Sequence, residues 1–249
     1  MKNEVTILGV SIINDTKERV LEFILDRIKS PHGKTFIITP NPEMLVYASK
    51  HLAYRDSLNS ADVALPDGIG LFVASHLLGK PLQERITGVD FVEKLCETSH
   101  EMPLSIGFLG GRAGVAELAV NRLKHKYPWI KVVFVGEEWK DEAGENEKWR
   151  MKEGENRQID ILFVAFGVPR QEEWIVDHLD KLPVKAAMGV GGSFDFLSGK
   201  VRRAPKLIRV IGLEWLFRLI IQPWRWKRQL ALFEFLALVW KQKVTKHAM

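Results

Sequence analysis

The sequence has very little cysteine and no long uncharged apolar run. Cys96 is the only cysteine among 249 residues, which excludes a disulfide framework and a thiolate metal cluster and favours a reducing compartment. It lies in the helical pattern EKLCETS, which favours a packing role over a nucleophilic one. The longest apolar run, LALFEFLALVW, has eleven residues and one glutamate, whereas a membrane-spanning helix needs about 18 to 20. We therefore expect no segment that crosses a membrane.

Motifs for metal and hydrolase chemistry are also absent from the sequence. No Asp-x-Asp pair occurs, so the carboxylate clamp that commonly holds a metal-bound nucleotide diphosphate is missing. The seven histidines are scattered without an i, i+4 pair, and no G-x-S-x-G motif occurs. We expect neither a metal site nor a cofactor, so arginines would have to neutralise any departing diphosphate.

Charge is distributed unevenly along the chain. The segment 200–249 has twelve lysines and arginines against two acidic residues, a formal charge of +10, and it holds four of the eight tryptophans. The segment 1–199 has 24 basic against 29 acidic residues, a formal charge of −5. The composition therefore predicts a boundary near residues 195–205, with one domain over residues 1–199 and a C-terminal appendage over residues 200–249.

Short apolar runs alternate with amphipathic helical patterns over the first 195 residues. Several runs are apolar throughout, as expected for parallel strands covered on both faces. The first, VTILGVSI, has no small-residue cleavage site near it, which predicts a strand rather than a signal peptide. The helical patterns include NPEMLVYASKHLAYRDSL and a charged, solvated stretch at 137–157. The predicted fold is α/β, a Rossmann-like, doubly wound, mostly parallel sheet with a C-terminal basic amphipathic helical appendage.

Polar residues follow two of the predicted strands at the point where each strand ends. Ligands of such sheets bind beyond the carboxyl ends of the strands, so these residues are candidates for a site. Thr39 ends TFIIT and Asn41 lies two residues beyond it, where Asn41 is equally well placed to cap a helix that begins at Pro42. Asp67 follows ADVAL, where it could be an N-cap or a general base for a sugar hydroxyl. Asp67 is the first candidate for catalysis.

Two further strand exits carry candidate ligand-binding residues. Gly110 ends LSIGFLG and Gly111 follows it, ahead of a helix, so their backbone N–H groups could hold a phosphate or leave space for a ribose. Their spacing does not fit the phosphate-binding loop with its lysine and fits a dinucleotide fingerprint only loosely. Gln171, in VPRQEEW, could hydrogen-bond a neutral ligand group, although the same residues also make a well-formed helix start.

Six motifs together, in their order along the chain, resemble those of the WecG/TagA/CpsF family of bacterial glycosyltransferases: TPNPEM, LPDGIG, RITGVDF, FVAFGVPRQEEWI, GVGGSFDFLSGKVRRAP and LEWLFRLIIQPWRWKR. The resemblance covers roughly residues 5–230. It implies a membrane-associated, inverting, metal-independent enzyme that transfers a sugar from a UDP-sugar to a polyprenyl-diphosphate-linked sugar. In one branch, N-acetylmannosamine (ManNAc) is transferred from UDP-ManNAc to undecaprenyl-diphosphate-linked N-acetylglucosamine (GlcNAc) during wall teichoic acid linkage-unit assembly.

The resemblance also implies roles for individual residues. Asp67 matches the family's catalytic base, which would deprotonate the 4-hydroxyl of the acceptor, and Arg85 in QERITG matches an arginine that stabilises the leaving diphosphate. Thr39 and Asn41 match positions near the sugar and the base, and Gln171 matches a substrate-contacting glutamine. The other expected substrate-binding residues are Gly110, Gly111, Asp195 near the nucleotide, and three arginines of the appendage, Arg218, Arg225 and Arg228.

The basic appendage is expected to contact a membrane rather than a nucleic acid. WRWKRQ could line a nucleic-acid groove, but the neighbouring stripes IGLEWLFRLII and LALFEFLALVW would then need a core of their own. Apolar stripes, tryptophans and a cationic rim suit helices that lie in the headgroup layer of an anionic membrane. The resemblance implies that the appendage orders against the catalytic domain and brings arginines over the site. We expect a peripheral location on the cytoplasmic face of the bacterial plasma membrane.

The expected partners are a UDP-sugar donor, a polyprenyl-diphosphate-linked GlcNAc acceptor and an anionic membrane surface, with no nucleic acid. A donor such as UDP-ManNAc uronic acid is an alternative, because family members with different donors share these motifs. A dehydrogenase of the same fold and a nucleic-acid-binding protein are more distant alternatives. This sequence lacks the acidic residue that a dehydrogenase has about 20 positions after its glycine fingerprint, which argues against the first of these alternatives. The sequence also leaves open whether the protein forms a homo-oligomer, because a helix surface covered by another subunit and one covered by lipid use similar residues.

Overall fold

The computed structural model describes residues 3–30, 33–136 and 158–247, and the helix predicted over 137–157 lies outside them. The chain divides into two compact units. Unit 1 comprises Met1–Val20, Thr39–Thr87 and Arg202–Met249, and unit 2 comprises Leu21–Ile38 and Gly88–Val201. The C-terminal segment thus belongs to the same unit as the N-terminal residues. The predicted division at residue 199 stays a prediction.

Strands and helices alternate along most of the described chain. The strands are β1 (Glu4–Ile7), β2 (Val10–Ile13), β3 (Thr35–Ile38), β4 (Val63–Ala64), β5 (Ser105–Gly110), β6 (Lys131–Gly136), β7 (Ile159–Ala165) and β8 (Val184–Gly189). The helices are α1 (Lys17–Lys29), α2 (Pro42–Lys50), α3 (Leu52–Asn59), α4 (Ile69–Leu77), α5 (Gly88–Thr98), α6 (Val115–Lys126), α7 (Arg170–His178), α8 (Ser193–Leu197), α9 (Lys206–Val210), α10 (Glu214–Ile221) and α11 (Trp226–His247). Short 3₁₀ helices occupy Leu179–Lys181 and Pro223–Arg225.

Five strands of unit 2 run parallel, in the order β3, β8, β7, β5 and β6. Phe163 of β7 lies beside Phe108 of β5 on one side and Met188 of β8 on the other. β7 and β8 are buried along almost their whole length, as expected for parallel strands that are covered on both faces. The parallel sheet with its flanking helices confirms the predicted Rossmann-like α/β fold.

The aromatic core of unit 2 lies directly behind its strand exits. The ring of Phe108 is 5.4 Å from that of Phe163 and 5.5 Å from that of Phe194 in α8, and all three side chains are fully buried. Buried aromatic rings at this spacing add a geometric preference to the apolar area that they bury. The core therefore fixes α8 against the sheet, at the edge where β5 ends.

Unit 1 begins with an antiparallel hairpin in which β1 pairs with β2 from Glu4 opposite Ile13 to Ile7 opposite Val10. Leu8 and Gly9, with φ of 49° and 80°, form its two-residue turn. Two successive positive φ angles are typical of the tight turns that join antiparallel strands. The prediction of one continuous strand over VTILGVSI was therefore wrong, because the apolar residues continue across the turn.

The longest helix, α11, is packed in unit 1 against α2 and α4. Phe235 and Val239 are fully buried and, being four residues apart, lie on the same face of the helix. Glu234 pairs with Lys50 of α2 at 2.6 Å, and the side chain of Gln242 accepts a hydrogen bond from the Leu8 backbone N–H at 3.0 Å. These contacts tie the C-terminal helix to the rest of unit 1. Over the described ranges, every helix is too short or too polar to span a bilayer.

Candidate active site

Two backbone hydrogen bonds bring the strand exits of unit 1 together. The N–H of Asp67 donates to the carbonyl of Pro40 at 3.2 Å, and the N–H of Ile86 donates to the carbonyl of Pro66 at 3.1 Å. The segments 39–41, 66–68 and 85–87 therefore lie side by side. The predicted site residues that they carry are Thr39, Asn41, Asp67 and Arg85.

Asn41 is the N-cap of α2. Its backbone is extended (φ −139°), and its side-chain oxygen accepts a hydrogen bond from the Met44 N–H at 3.1 Å. Pro42 occupies the first turn, where a missing N–H costs nothing. The capping prediction is confirmed, while contact of Asn41 with a sugar stays a prediction. Thr39, which is buried, directly follows β3 and precedes this cap.

Asp67 is half-buried beyond the exit of β4, and one residue, Gly68, separates it from α4. Gly68, rather than Asp67, occupies the N-cap position of α4, and its φ of 90° is a conformation that favours glycine. A Cβ added at Gly70 would lie 2.5 Å from Cγ of Pro42, so the start of α4 packs closely on the start of α2. This packing fixes the backbone from which the Asp67 carboxylate projects, beside the N-terminus of a capped helix.

The C-terminal segment contacts the segment that carries Arg85. The Arg85 guanidinium donates to the carbonyl of Arg209, at the end of α9. Arg203 donates to the Thr87 hydroxyl at 3.3 Å and pairs with Glu214 at 3.2 Å, with both charged side chains about one-fifth exposed. Sequence reasoning missed Arg203, because its only signal was its place in the motif GVGGSFDFLSGKVRRAP. The structure therefore makes residues 203–214 part of the surroundings of Arg85.

The arginines predicted to reach the diphosphates lie on three C-terminal elements. Arg228, on α11, forms a two-pronged pair with the Glu43 carboxylate in the first turn of α2, with N···O distances of 2.8, 2.9 and 3.0 Å. Arg218, on α10, donates to Gln222 at 3.2 Å, and Arg225 ends the 3₁₀ helix before α11. Their contact with diphosphates stays a prediction. Glu43 was not predicted, because it is 185 positions away from its partner.

In unit 2, the glycine turn after β5 is held against the end of β7. The N–H of Gly111 donates to the carbonyl of Ala165 at 3.0 Å. A Cβ at Gly110 would lie 2.8 Å from the ring of Phe166 and 3.0 Å from the Ala165 carbonyl, and its φ is 100°. Both the backbone conformation and the space require glycine there. The turn is thus a rigid backbone surface at the start of α6, as the nucleotide prediction needs, although nucleotide binding itself stays a prediction.

Gln171 lies in the first turn of α7 and is 1% exposed. Its side-chain oxygen accepts hydrogen bonds from the N–H groups of Gly167 at 3.2 Å and Gly191 at 2.9 Å. Its side-chain nitrogen donates to the carboxylate of Glu172, itself fully buried, at 2.6 Å. Sequence reasoning missed Glu172, because two adjacent glutamates at a helix start look like solvated dipole partners. Contact of Gln171 with a substrate stays a prediction.

Asp195 lies on the short helix α8, next to the glycine turn. A Cβ at Gly111 would lie 3.5 Å from the ring of Phe194, so α8 packs against that turn. The carbonyl of Asp195 accepts from the N–H of Val201 and the hydroxyl of Ser198, both at 3.0 Å. The half-buried Asp195 side chain is therefore carried by a closed loop beside Gly111, and its contact with the nucleotide stays a prediction.

Cys96 is fully buried on α5 and takes no part in either group of candidate residues. Burial, with a smaller contribution from the Glu93 carboxylate, raises the pKa of its thiol to about 12. A thiol with so high a pKa is protonated at neutral pH and is a poor nucleophile. The predicted packing role is confirmed. Outside the undescribed stretches, histidine, cysteine and acidic side chains form no group of three that could hold a metal ion.

The C-terminal helices carry a set of exposed apolar and aromatic side chains. Trp224 is 71% exposed, Phe233 69% and Trp240 59%. Other exposed members of the set are Leu207, Val210, Ile211, Ile220, Trp226, Leu230 and Val244. Side chains of this kind, when they cluster, mark a surface that contacts a protein or a membrane.

Comparison with known proteins matches the chain over nearly its whole length. The family model described as "Glycosyl transferase WecG/TagA/CpsF family" matches residues 5–249. The chain is 32% identical over 241 residues, 97% of this chain and 93% of the relative, to N-acetylglucosaminyldiphosphoundecaprenol N-acetyl-beta-D-mannosaminyltransferase of Bacillus subtilis (strain 168). Relatives of the same name are 36% identical over 209 residues in Bacillus spizizenii (strain ATCC 23059 / NRRL B-14472 / W23) and 34% over 230 residues in Staphylococcus aureus (strain MRSA252). These alignments cover 84% and 90% of this chain and 79% and 86% of the relatives.

Proposed function

The chain belongs to the WecG/TagA/CpsF family of glycosyltransferases, and from this premise we propose that it transfers ManNAc from UDP-ManNAc to undecaprenyl-diphosphate-linked GlcNAc. The relatives' names support this acceptor and this sugar. The product would enter the linkage unit of wall teichoic acid or a related surface polymer. Neither a dehydrogenase nor a nucleic-acid-binding protein fits membership of this family.

The observation that carries the proposal is the grouping of Asp67 with Arg85 on adjoining segments of unit 1. As the 4-hydroxyl oxygen of GlcNAc attacks the anomeric carbon, Asp67 takes the hydroxyl proton, and the bond from that carbon to UDP breaks. Attack opposite the departing UDP inverts the anomeric configuration. General-base assistance of this kind is worth about 10² to 10⁴-fold in rate. Arg85 neutralises the charge that develops on the diphosphate, so the step needs no metal.

The remaining predicted residues bind and orient the substrates. Thr39 and Asn41 adjoin Asp67 and serve the sugar that it deprotonates. The donor nucleotide is held by the glycine turn, Gly110 and Gly111, together with Asp195 of the same unit, and Gln171 holds two loops of that unit in place for it. This assignment is supported by the close backbone approach at Gly110 and by the start of α6 that follows the turn. The C-terminal arginines at 218, 225 and 228 supply further positive charge for the diphosphates.

The C-terminal segment attaches the enzyme to the cytoplasmic face of the bacterial plasma membrane, where a polyprenyl acceptor resides. The charge of +10 over residues 200–249 and the exposed aromatic side chains Trp224, Phe233 and Trp240 support this placement. Each cation near an anionic surface contributes on the order of 1 kcal/mol of attraction, so the segment carries enough charge for reversible binding.

A donor panel tests the proposed function. The full-length protein is incubated with a synthetic prenyl-diphosphate GlcNAc and, in separate reactions, UDP-ManNAc, UDP-ManNAc uronic acid, UDP-GlcNAc or UDP-glucose, with EDTA present. Mass spectrometry should show acceptor extended by one N-acetylhexosamine from UDP-ManNAc alone, and NMR should show an inverted anomeric linkage. Extension of the acceptor from a different UDP-sugar would show that the transferred sugar is not ManNAc. Extension that requires added Mg²⁺ would contradict metal independence.

A further inference from the structure

Gln171 and Glu172 form a buried pair that joins two loops of unit 2. The loop after β7 contributes the N–H of Gly167, and the loop after β8 contributes the N–H of Gly191; both donate to the side-chain oxygen of Gln171. Two converging N–H donors require the oxygen of the amide at this point, because an NH₂ group there would face them without an acceptor. The amide nitrogen must then point the other way, toward Glu172.

The Glu172 carboxylate completes the orientation of the Gln171 amide. Its oxygen accepts from the amide nitrogen at 2.6 Å, and both side chains are shielded from water. A buried carboxylate that accepts a hydrogen bond makes a stronger bond than a neutral acceptor. Three of the four hydrogen-bonding positions of the Gln171 amide are thereby used within the protein, which leaves a single N–H for any other contact.

The last residue of β8 leaves the space that the pair occupies. A Cβ added at Gly189 would lie 3.1 Å from the amide nitrogen of Gln171 and 3.3 Å from the carboxylate of Glu172. Either contact is tighter than an ordinary one, so a side chain at this position would push the pair aside. The glycine, the glutamine and the glutamate therefore form one packed arrangement at the ends of β7 and β8.

We propose that Gln171 and Glu172 are positioning residues, which set the geometry of the loops at Gly167 and Gly191, and that Glu172 acts by orienting the Gln171 amide. The inference rests on the proposed function, since the loops lie on the unit assigned to the donor nucleotide. In a positioning role, activity depends on the three hydrogen bonds of Gln171 within the protein. In direct substrate contact, activity would instead depend on the presence of the amide at position 171.

A reciprocal exchange of the two residues separates positioning from contact. In Gln171→Glu/Glu172→Gln, the carboxylate at position 171 accepts from both glycine N–H groups with one oxygen and from the introduced amide with the other. All three hydrogen bonds and the net charge are kept, while the amide is lost from position 171. Gln171→Met removes all three bonds in a side chain of similar length. The matched control is Glu173→Gln, on the exposed face of α7.

The first measurement is amide hydrogen exchange at Gly167 and Gly191, which does not depend on activity. We expect exchange about tenfold faster or more in Gln171→Met, because one side-chain oxygen protects both N–H groups. Wild-type rates are expected in the reciprocal exchange and in Glu173→Gln. Unchanged protection in Gln171→Met, or fast exchange in the reciprocal variant, would overturn the positioning role. Should Gln171→Met fail to fold, the reciprocal variant alone decides.

The second measurement is kcat for transfer, together with UDP affinity by calorimetry. Gln171→Met should lower kcat by about 10 to 100-fold, since small misplacements of binding loops have effects of that size. The reciprocal variant should return kcat and UDP affinity to within about threefold of wild type. A reciprocal variant as inactive as Gln171→Met would show that the amide contacts substrate directly. Wild-type protein that transfers no sugar would disprove the proposed function, while the exchange rates would still decide the role of the pair.

Discussion

Both units hold their candidate residues through backbone contacts, but in unit 1 side-chain contacts from the C-terminal segment are added to them. In unit 2, the candidate residues are fixed by backbone hydrogen bonds and close approach: Gly110 has no room for a Cβ, and Gln171 is 1% exposed with three internal hydrogen bonds. In unit 1, the surroundings of Asp67 and Arg85 are completed by side-chain contacts from the C-terminal segment, such as the pair of Arg228 with Glu43.

Exposure makes the difference between these two kinds of contact energetic as well as geometric. The side chains of Arg228 and Glu43 are 44% and 36% exposed, and ion pairs with such access to water contribute about 0 to 1 kcal/mol. A buried donor or acceptor group that loses its hydrogen-bond partner lowers the stability of the protein by about 1 to 3 kcal/mol. The comparison indicates that the candidate residues of unit 2 are held in a preformed arrangement, whereas the pair of Arg228 with Glu43 in unit 1 is weak enough to rearrange.

The largest effect should come from Asp67→Asn, which removes the base and keeps the shape of the side chain. We expect transfer to fall by about 10² to 10⁴-fold with UDP affinity unchanged, because general-base assistance is lost and the donor side is intact. Initial rates and calorimetry on the same preparation test this. Asp56→Asn, an exposed carboxylate on α3, serves as the control. Near wild-type transfer by Asp67→Asn would remove Asp67 from the mechanism.

Arg85→Ala should have the next largest effect. Loss of a cation from the leaving diphosphate is expected to lower kcat by about 10 to 100-fold, while Arg85→Lys should recover part of it through charge alone. The loss should also appear with a water-soluble acceptor, since the charge acts on UDP. Arg19→Ala, whose side chain is 74% exposed, is the control. Equal activity of Arg85→Ala and wild type would contradict the assignment.

The exposed C-terminal surface should govern membrane binding and leave the chemistry unchanged. Phe233→Ser with Trp240→Ser is expected to weaken binding to vesicles that contain phosphatidylglycerol by about tenfold or more, because each side chain loses apolar area that lipid would cover. Co-sedimentation measures this binding. The rate with a water-soluble acceptor should stay at the wild-type value. Leu52→Ser, on α3 and 60% exposed, should leave vesicle binding unchanged. An equal loss in Leu52→Ser would contradict a specific surface.

The smallest effect should come from the pair of Arg228 and Glu43. Arg228→Glu is expected to lower transfer by about two- to fivefold, in keeping with an exposed ion pair. The charge reversal Arg228→Glu/Glu43→Arg separates two roles of Arg228: a restored rate would mean that the pair only holds α11 on α2, and would contradict the proposed contact with the diphosphates. A double variant that stays as slow as Arg228→Glu would instead assign Arg228 to the diphosphates.

The α/β fold could be predicted from the sequence, because apolar strand patterns alternate with amphipathic helix patterns. Each of these patterns depends only on residues that are close together in the sequence. The sequence also placed Asp67 and Asn41 correctly at strand exits, since proline, glycine and capping residues mark those points. It missed the turn at Leu8 and Gly9, where the apolar residues continue without interruption. The sequence could not predict two long-range contacts, the pair of Arg228 with Glu43 and the hydrogen bond from Arg85 to the Arg209 carbonyl. Contacts between such distant positions depend on how whole helices pack. Glu172 was missed since burial of a charged side chain leaves no mark in composition.

The stoichiometry of UDP release is the most direct test of the central claim, that this chain transfers ManNAc to a lipid-linked acceptor. Full-length protein, UDP-ManNAc and prenyl-diphosphate GlcNAc are combined, and UDP and extended acceptor are quantified in the same samples over time. We predict equal amounts of UDP and extended acceptor, and almost no UDP when the acceptor is omitted. UDP released at the same rate without acceptor, or released while the acceptor stays unmodified, would contradict the account.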